Sequence, residues 1–95
     1  MSYAYVVGQI TVQDDKKWAE YRARVPETLA PWGAELVFRG QLSRELHKSC
    51  PYSDIVVIRF PDQAAVDGWH DSAAYQALLP LRGEAADLVL LSYRG

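Results

Sequence analysis

Two segments of this 95-residue chain constrain its fold more than anything else in it. DIVVIRF (54–60) and DLVLLSY (87–93) are rich in apolar residues, the first in β-branched ones, and both read as strands. Side chains alternate between the two faces of a strand. In the first segment Ile55 and Val57 oppose Val56, Ile58 and Phe60; in the second Leu88 and Leu90 oppose Val89 and Leu91. A sheet built from such strands is apolar on both faces, and both faces must be covered.

The remaining segments supply one cover. YAYVVGQITV (3–12) is another strand, with Ala4, Val6, Ile10 and Val12 on one side and Tyr3, Tyr5 and Val7 on the other. Gly8 within it marks a bulge or a close backbone approach. DDKKWAEYRARVPETLAPWG (14–33) reads as a helix capped by Asp14, with Trp18, Tyr21, Val25, Leu29 and Trp32 forming one stripe. A kink is expected at Pro26, and Pro31 and Gly33 end the helix. AELVFRGQLSREL (34–46) is a strand joined to 54–60 through the turn-rich HKSCPYS. Asp62 caps a short helix, DQAAVDGWH. Asp71 and Ser72 then stop that helix and start another, AAYQALLPLRGEAA, because their side chains compete for backbone amides.

The order β-α-β-β-α-β, with its second helix broken, predicts an α+β domain of ferredoxin-like type spanning residues 1–95: a four-stranded antiparallel sheet with helices on one face. Helices cover only that face. The simplest cover for the other is a second copy of the chain, which gives a dimeric α+β barrel. Hydrophobic residues make up 49% of the chain, with three Trp and six Tyr among the 95, and this is more apolar area than a small solo domain buries.

YVVGQITV, WAEYRARVPETLAPWGAELVFRG, VVIRFPDQAA and WHDSAAYQALLPLR together resemble the domain-of-unknown-function family 1330 over nearly the whole chain. The most specific part is the tail of the second helix, where Trp69, Ser72, Tyr75, Gln76 and Arg82 match. The resemblance implies the dimeric α+β-barrel fold and a homodimer. The wider superfamily includes cofactor-free monooxygenases, haem-degrading enzymes and small lactone isomerases, so the resemblance does not choose a reaction.

Composition narrows the partners. Net charge is −2, and no basic run exceeds Lys16–Lys17, so nucleic acid is not expected. Cys50 is the only cysteine, which excludes an internal disulfide and suggests a reducing, cytoplasmic setting. No signal peptide and no membrane span are expected, because no apolar run approaches ~20 residues. His47 and His70 lack metal-ligand spacing, and no Gly-rich phosphate cradle is present; neither metal nor cofactor is predicted.

The candidates for chemistry cluster near the helix break. Tyr75 and Arg82 are seven residues apart, near one helical face, where a phenol and a guanidinium fork could hold a carboxylate or enolate. His70, just before the break, is the candidate acid or base. Against this stand a core role for Tyr75, an ion pair for Arg82 and a solvent-facing His70. Tyr5, Arg39, Arg59 and Trp69 are candidate ligand contacts; Arg39 and Arg59, with Gln9, interrupt apolar strands and either line a chamber or pair with acids. Trp18, Tyr21 and Trp32 read as core, and His47 is expected to pair with Asp54 across the hairpin. These expectations describe a cytosolic homodimer with a small-molecule cleft at the Asp71–Ser72 break. Its chemistry would be cofactor-free acid–base or monooxygenase-type, on a small organic acid or phenol. The alternative is a non-catalytic binding or interaction module, which a join filled by Trp69, Tyr75 and Leu78 would favour.

Overall fold

In the computed structural model, which describes residues 2–95, four strands form one antiparallel sheet in the order β2-β3-β1-β4. They are β1 (Ala4–Val12), β2 (Glu35–Gln41), β3 (Asp54–Phe60) and β4 (Ala86–Arg94). β1 and β3 are central; Val7 faces Val57 on one side and Leu91 on the other. Helices α1 (Asp15–Leu29), α2 (Gln63–Asp71), α3 (Ala73–Gln76) and α4 (Leu79–Ala85) provide the cover. This is the ferredoxin-like arrangement expected from the order of the elements.

Local chemistry sets the boundaries. The Asp14 side chain accepts the Lys17 amide at 3.0 Å and starts α1; Asp62 does the same for Ala65 at 2.8 Å and starts α2. Ser72 serves both sides of the break. Its hydroxyl donates to the Trp69 carbonyl at 2.6 Å, closing α2, and accepts the Tyr75 amide at 3.2 Å, opening α3. α1 runs through Pro26 without interruption and tightens into a 3₁₀ turn over Ala30–Trp32. Gly33 then takes a left-handed conformation, φ 67°, that permits the exit into β2.

Two boundaries differ from the sequence reading. β2 ends at Gln41 rather than at residue 46, and residues 42–53 are irregular. The chain leaves the ladder after one closing bond, from the Leu42 amide to the Ser53 carbonyl at 2.7 Å, so LSREL has no strand to pair with. The helix expected over 73–86 is two helices. Proline is costly inside a helix but suits a first turn, and Pro80 lies in the first turn of α4.

The core lies between helices and sheet. Phe60, Trp69 and Tyr75 are fully buried, and Trp69 stands 5.4 Å from the Phe60 ring and 4.2 Å from that of Tyr75. Truncating any of the three to alanine should cost ~3–5 kcal/mol, a large share of a small domain's ~5–15 kcal/mol. The opposite face of the sheet carries Tyr5, Val7, Val57, Val89 and Leu91 with no helix over it. Phe38 and Tyr93, on the same face, are more than half exposed.

Candidate ligand pocket under the first helix

Between α1 and the sheet lies a cavity of about 270 Å³, at the small end of the ~300–1,000 Å³ common for small-molecule sites. α1 contributes Trp18, Tyr21, Val25 and Leu29 to its wall, and the sheet contributes Gly8, Val56, Ile58 and Leu90. Trp69 also borders it. Gly8 keeps the floor open: a Cβ there would come within 2.9 Å of a Val56 methyl and 3.4 Å of a Leu90 methyl.

Among the described residues the lining has only two charged side chains, Arg22 of α1 and Arg39 of β2. Neither makes an ion pair with an acid. Arg39 reaches this side because of an irregularity in β2. Leu36 pairs with Ile58, but Phe38 pairs with Val57, so Val37 is an extra residue and the alternation shifts by one. Burial lowers the Arg39 pKa, and the charge of Arg22 lowers it further; Asp54 acts weakly in the opposite sense. Both arginines are exposed to solvent, so the cavity is an apolar hollow bordered by two like charges with no ion-pair partner among the described residues.

A chain of hydrogen bonds runs inward from the same wall. The Tyr21 and Tyr75 hydroxyls are 2.8 Å apart, and Arg82 donates through Nη1 to the Tyr75 oxygen at 3.0 Å. Burial raises the Tyr21 pKa, helped by Tyr75 and opposed by Arg82, so this phenol is neutral at physiological pH. It can donate a hydrogen bond; it does not act as a base.

The residues singled out in the sequence fall in different places. Arg39 and Trp69 line the cavity. Tyr75 is wholly buried, and it and Arg82 lie one and two bonds behind Tyr21. His70 is on the outer surface beside Asp71, at 3.3 Å, in a separate depression of about 230 Å³ between α2 and β4 that also includes Asp67 and Ser92. Trp69 divides the two hollows. Tyr5 and Arg59 lie on the open sheet face, where Arg59 pairs with Glu35 and stacks its guanidinium 4.7 Å from the Tyr3 ring centre. Gln9 is on that face too and accepts from the Cys50 thiol at 3.6 Å. The expected His47–Asp54 pair does not form; Asp54 accepts from the Ser53 hydroxyl at 2.7 Å. At the Asp71–Ser72 break Trp69, Tyr75 and Leu78 are buried, and the hollow beside it includes Trp69, His70 and Asp71 but neither Tyr75 nor Arg82.

Two pocket residues have no functional signal in the sequence reading. Tyr21 belongs to the apolar stripe of α1, and a stripe does not reveal that the hydroxyl at its tip meets two partners. Arg22 follows it and lies four residues after Trp18, at the border of the stripe, where a charged side chain is ordinarily solvated. Its meaning depends on Arg39, which β2 brings near only through tertiary structure.

Solved structures with the same fold differ widely in sequence. The RPA0582 protein of unknown function from Rhodopseudomonas palustris superposes with a TM-score of 0.82 at 14% identity, over 96% of this chain and 80% of that one. A dimeric ferredoxin-like protein of unknown function from Jannaschia sp. CCS1 gives 0.74 at 14%, over 95% and 96%. SnoaB, a cofactor-independent oxygenase from Streptomyces nogalater, gives 0.71 at 15%, over 98% and 92%. At such identities the likeness is one of fold. No curated protein matches the chain in sequence. The family model described as Domain of unknown function (DUF1330) matches residues 3–95, and the chain therefore belongs to the DUF1330 family.

Proposed function

We propose that this protein is a cytoplasmic homodimer that binds one small, mainly apolar organic anion per subunit in the pocket under α1. The observation that carries the reading is the pair of guanidiniums, Arg22 and Arg39, at an otherwise apolar cavity with no acid paired to either. An apolar body gains by leaving water among Val25, Leu29 and Ile58, and a carboxylate or phenolate supplies the missing negative charge. Among the described residues the lining contains no carboxylate, imidazole, amine or thiol. No side chain there removes a proton from a neutral ligand at physiological pH, which favours binding over base catalysis by the protein.

A second reading, cofactor-independent oxygenation, draws on the largely apolar lining of the same cavity and on the fold shared with SnoaB. In it, the bound anion itself is the electron-rich reactant. The homodimer reading draws on the uncovered face of Val7, Val57, Val89 and Leu91 and on the dimeric ferredoxin-like neighbours from Jannaschia and Thermobifida fusca. No helix among the described residues is long and apolar enough to cross a membrane, and Cys50 is a free thiol, as suits a reducing compartment.

Calorimetry tests the pocket. Phenylvalerate should bind, and phenylpentanol, its uncharged alcohol, should bind about 10–100-fold more weakly, the worth of a charge-assisted hydrogen bond. Arg39→Gln should lose a similar factor for the acid alone. Equal binding of acid and alcohol would overturn the anion reading. Sedimentation at micromolar concentration tests the dimer; a monomeric wild type would exclude it, and Val57→Asp should shift a dimer toward monomer.

A further inference from the structure

The hydrogen-bond chain behind the cavity has a direction. Arg82 has only protons to give, so the Tyr75 oxygen must accept from it. One proton then lies between Tyr75 and Tyr21, and either hydroxyl can supply it. If Tyr21 supplies it, the Tyr75 proton is left over. Tyr75 is wholly buried, is not part of the cavity wall and has no other side-chain partner, so that proton would bear the full penalty of an unmade buried hydrogen bond. If Tyr75 supplies it, Tyr75 is satisfied on every side. The remaining proton is then that of Tyr21, whose side chain lines the cavity. The second arrangement leaves the wholly buried Tyr75 hydroxyl without an unmatched proton.

We infer that Tyr21 is the specificity-determining donor of this pocket, with its hydroxyl proton turned into the cavity by Arg82 through Tyr75, and that it takes an oxygen on the apolar body of the ligand. This rests on the pocket's being an anion site, as proposed above. It narrows the ligand from apolar acids in general to apolar oxo- or hydroxy-acids: a carboxylate for Arg22 and Arg39, and a separate ketone, enolate or phenolic oxygen for Tyr21. Tyr75 and Arg82 are positioning residues, since they act through Tyr21. Burial keeps the Tyr21 proton in place at physiological pH, so the donor is always available.

Phenylvalerate and benzoylbutyrate have the same skeleton and carboxylate and differ by one ketone oxygen. By calorimetry at neutral pH, wild-type protein should bind benzoylbutyrate about three- to tenfold more tightly, the net worth of one hydrogen bond. Tyr21→Phe should erase that preference, so that the variant binds the two acids equally. In protein labelled with carbon-13 at tyrosine Cζ, the Tyr21 resonance, assigned by its loss in Tyr21→Phe, should move further with benzoylbutyrate than with phenylvalerate. Should the variant fail to fold by circular dichroism, the wild-type ratio and the wild-type resonance, assigned instead by residue-specific relaxation from Trp18, still decide. Equal wild-type affinities, with no separate movement of the resonance, would overturn the donor role and leave the anion site intact. If neither acid binds, the anion site and the donor role both fall.

Discussion

Trp69 donates its indole N–H to the Thr28 hydroxyl at 3.0 Å, and Thr28 passes its own proton to the Val25 carbonyl at 2.7 Å. The most deeply set indole of the chain is thereby satisfied by a single buried threonine on α1. Thr28→Val keeps the shape but leaves the indole proton unmatched, and should destabilise by about 1–3 kcal/mol in urea unfolding. Thr28→Ser retains the hydroxyl and should cost less. Equal losses for the two would show that the methyl group, and not the bond, is what matters.

Ser72 closes one helix and opens the next with the same oxygen. Ser72→Ala should cost about 1 kcal/mol, with a range of ~0.5–2 kcal/mol for a lost cap. The cost should appear as a lower thermal midpoint with little change in phenylvalerate affinity, since the break lies outside the pocket lining. A large fall in affinity at unchanged stability would contradict this separation.

Gly68 lies where α2 passes the indole of Trp32, and a Cβ there would stand 2.4 Å from Trp32 Cζ3. Helix propensity alone would make alanine the better residue. The crowding should prevail, and Gly68→Ala should destabilise by roughly 1–3 kcal/mol. Combining it with Trp32→Leu should recover part of the loss; a stabilised single variant would mean that the indole moves aside freely.

The Tyr21 phenol gives the protein an alkaline limit. Its pKa is raised in the fold by burial, from an unfolded value of ~10. The folded state therefore keeps this proton after the unfolded state has lost it. The stabilisation is complete below pH ~10 and falls as pH rises from there toward the folded value. Urea midpoints measured through this range should decline more steeply for wild type than for Tyr21→Phe. Parallel curves would exclude Tyr21 as the source.

The fold was legible because its determinants are local or periodic. Ile55 to Phe60 and Leu88 to Leu91 announce a sheet apolar on both faces, and Asp14, Asp62 and Ser72 cap helices where their side chains suggested. The pocket was legible only in Arg39 and Trp69, which line it. The helix break attracts attention because His70, Tyr75 and Arg82 gather around it in sequence, yet side-chain volume fills the join and leaves His70 outside. The cavity is made by Arg22 and Arg39 approaching from different elements and by a tyrosine whose hydroxyl, rather than its ring, carries the interest. Neither relationship has a spacing that periodicity can reveal.

The extra residue in β2 makes the strand a counter as well as a scaffold. Were Val37 paired with Val57 instead of bulging out, every side chain from Phe38 to the end of the strand would change compartments. The guanidinium of Arg39 would move to the face that carries Val57, and the residues now sharing that face with Val57 would turn inward. A slip of the strand into regular pairing would therefore do two things at once: remove a positive charge from the cavity and place one on the uncovered face of the sheet, whereas deletion of Val37 would leave both faces as they are. Point substitutions along β2 change one property each, whereas a slip in its pairing would exchange what the strand shows to the cavity and to the uncovered face.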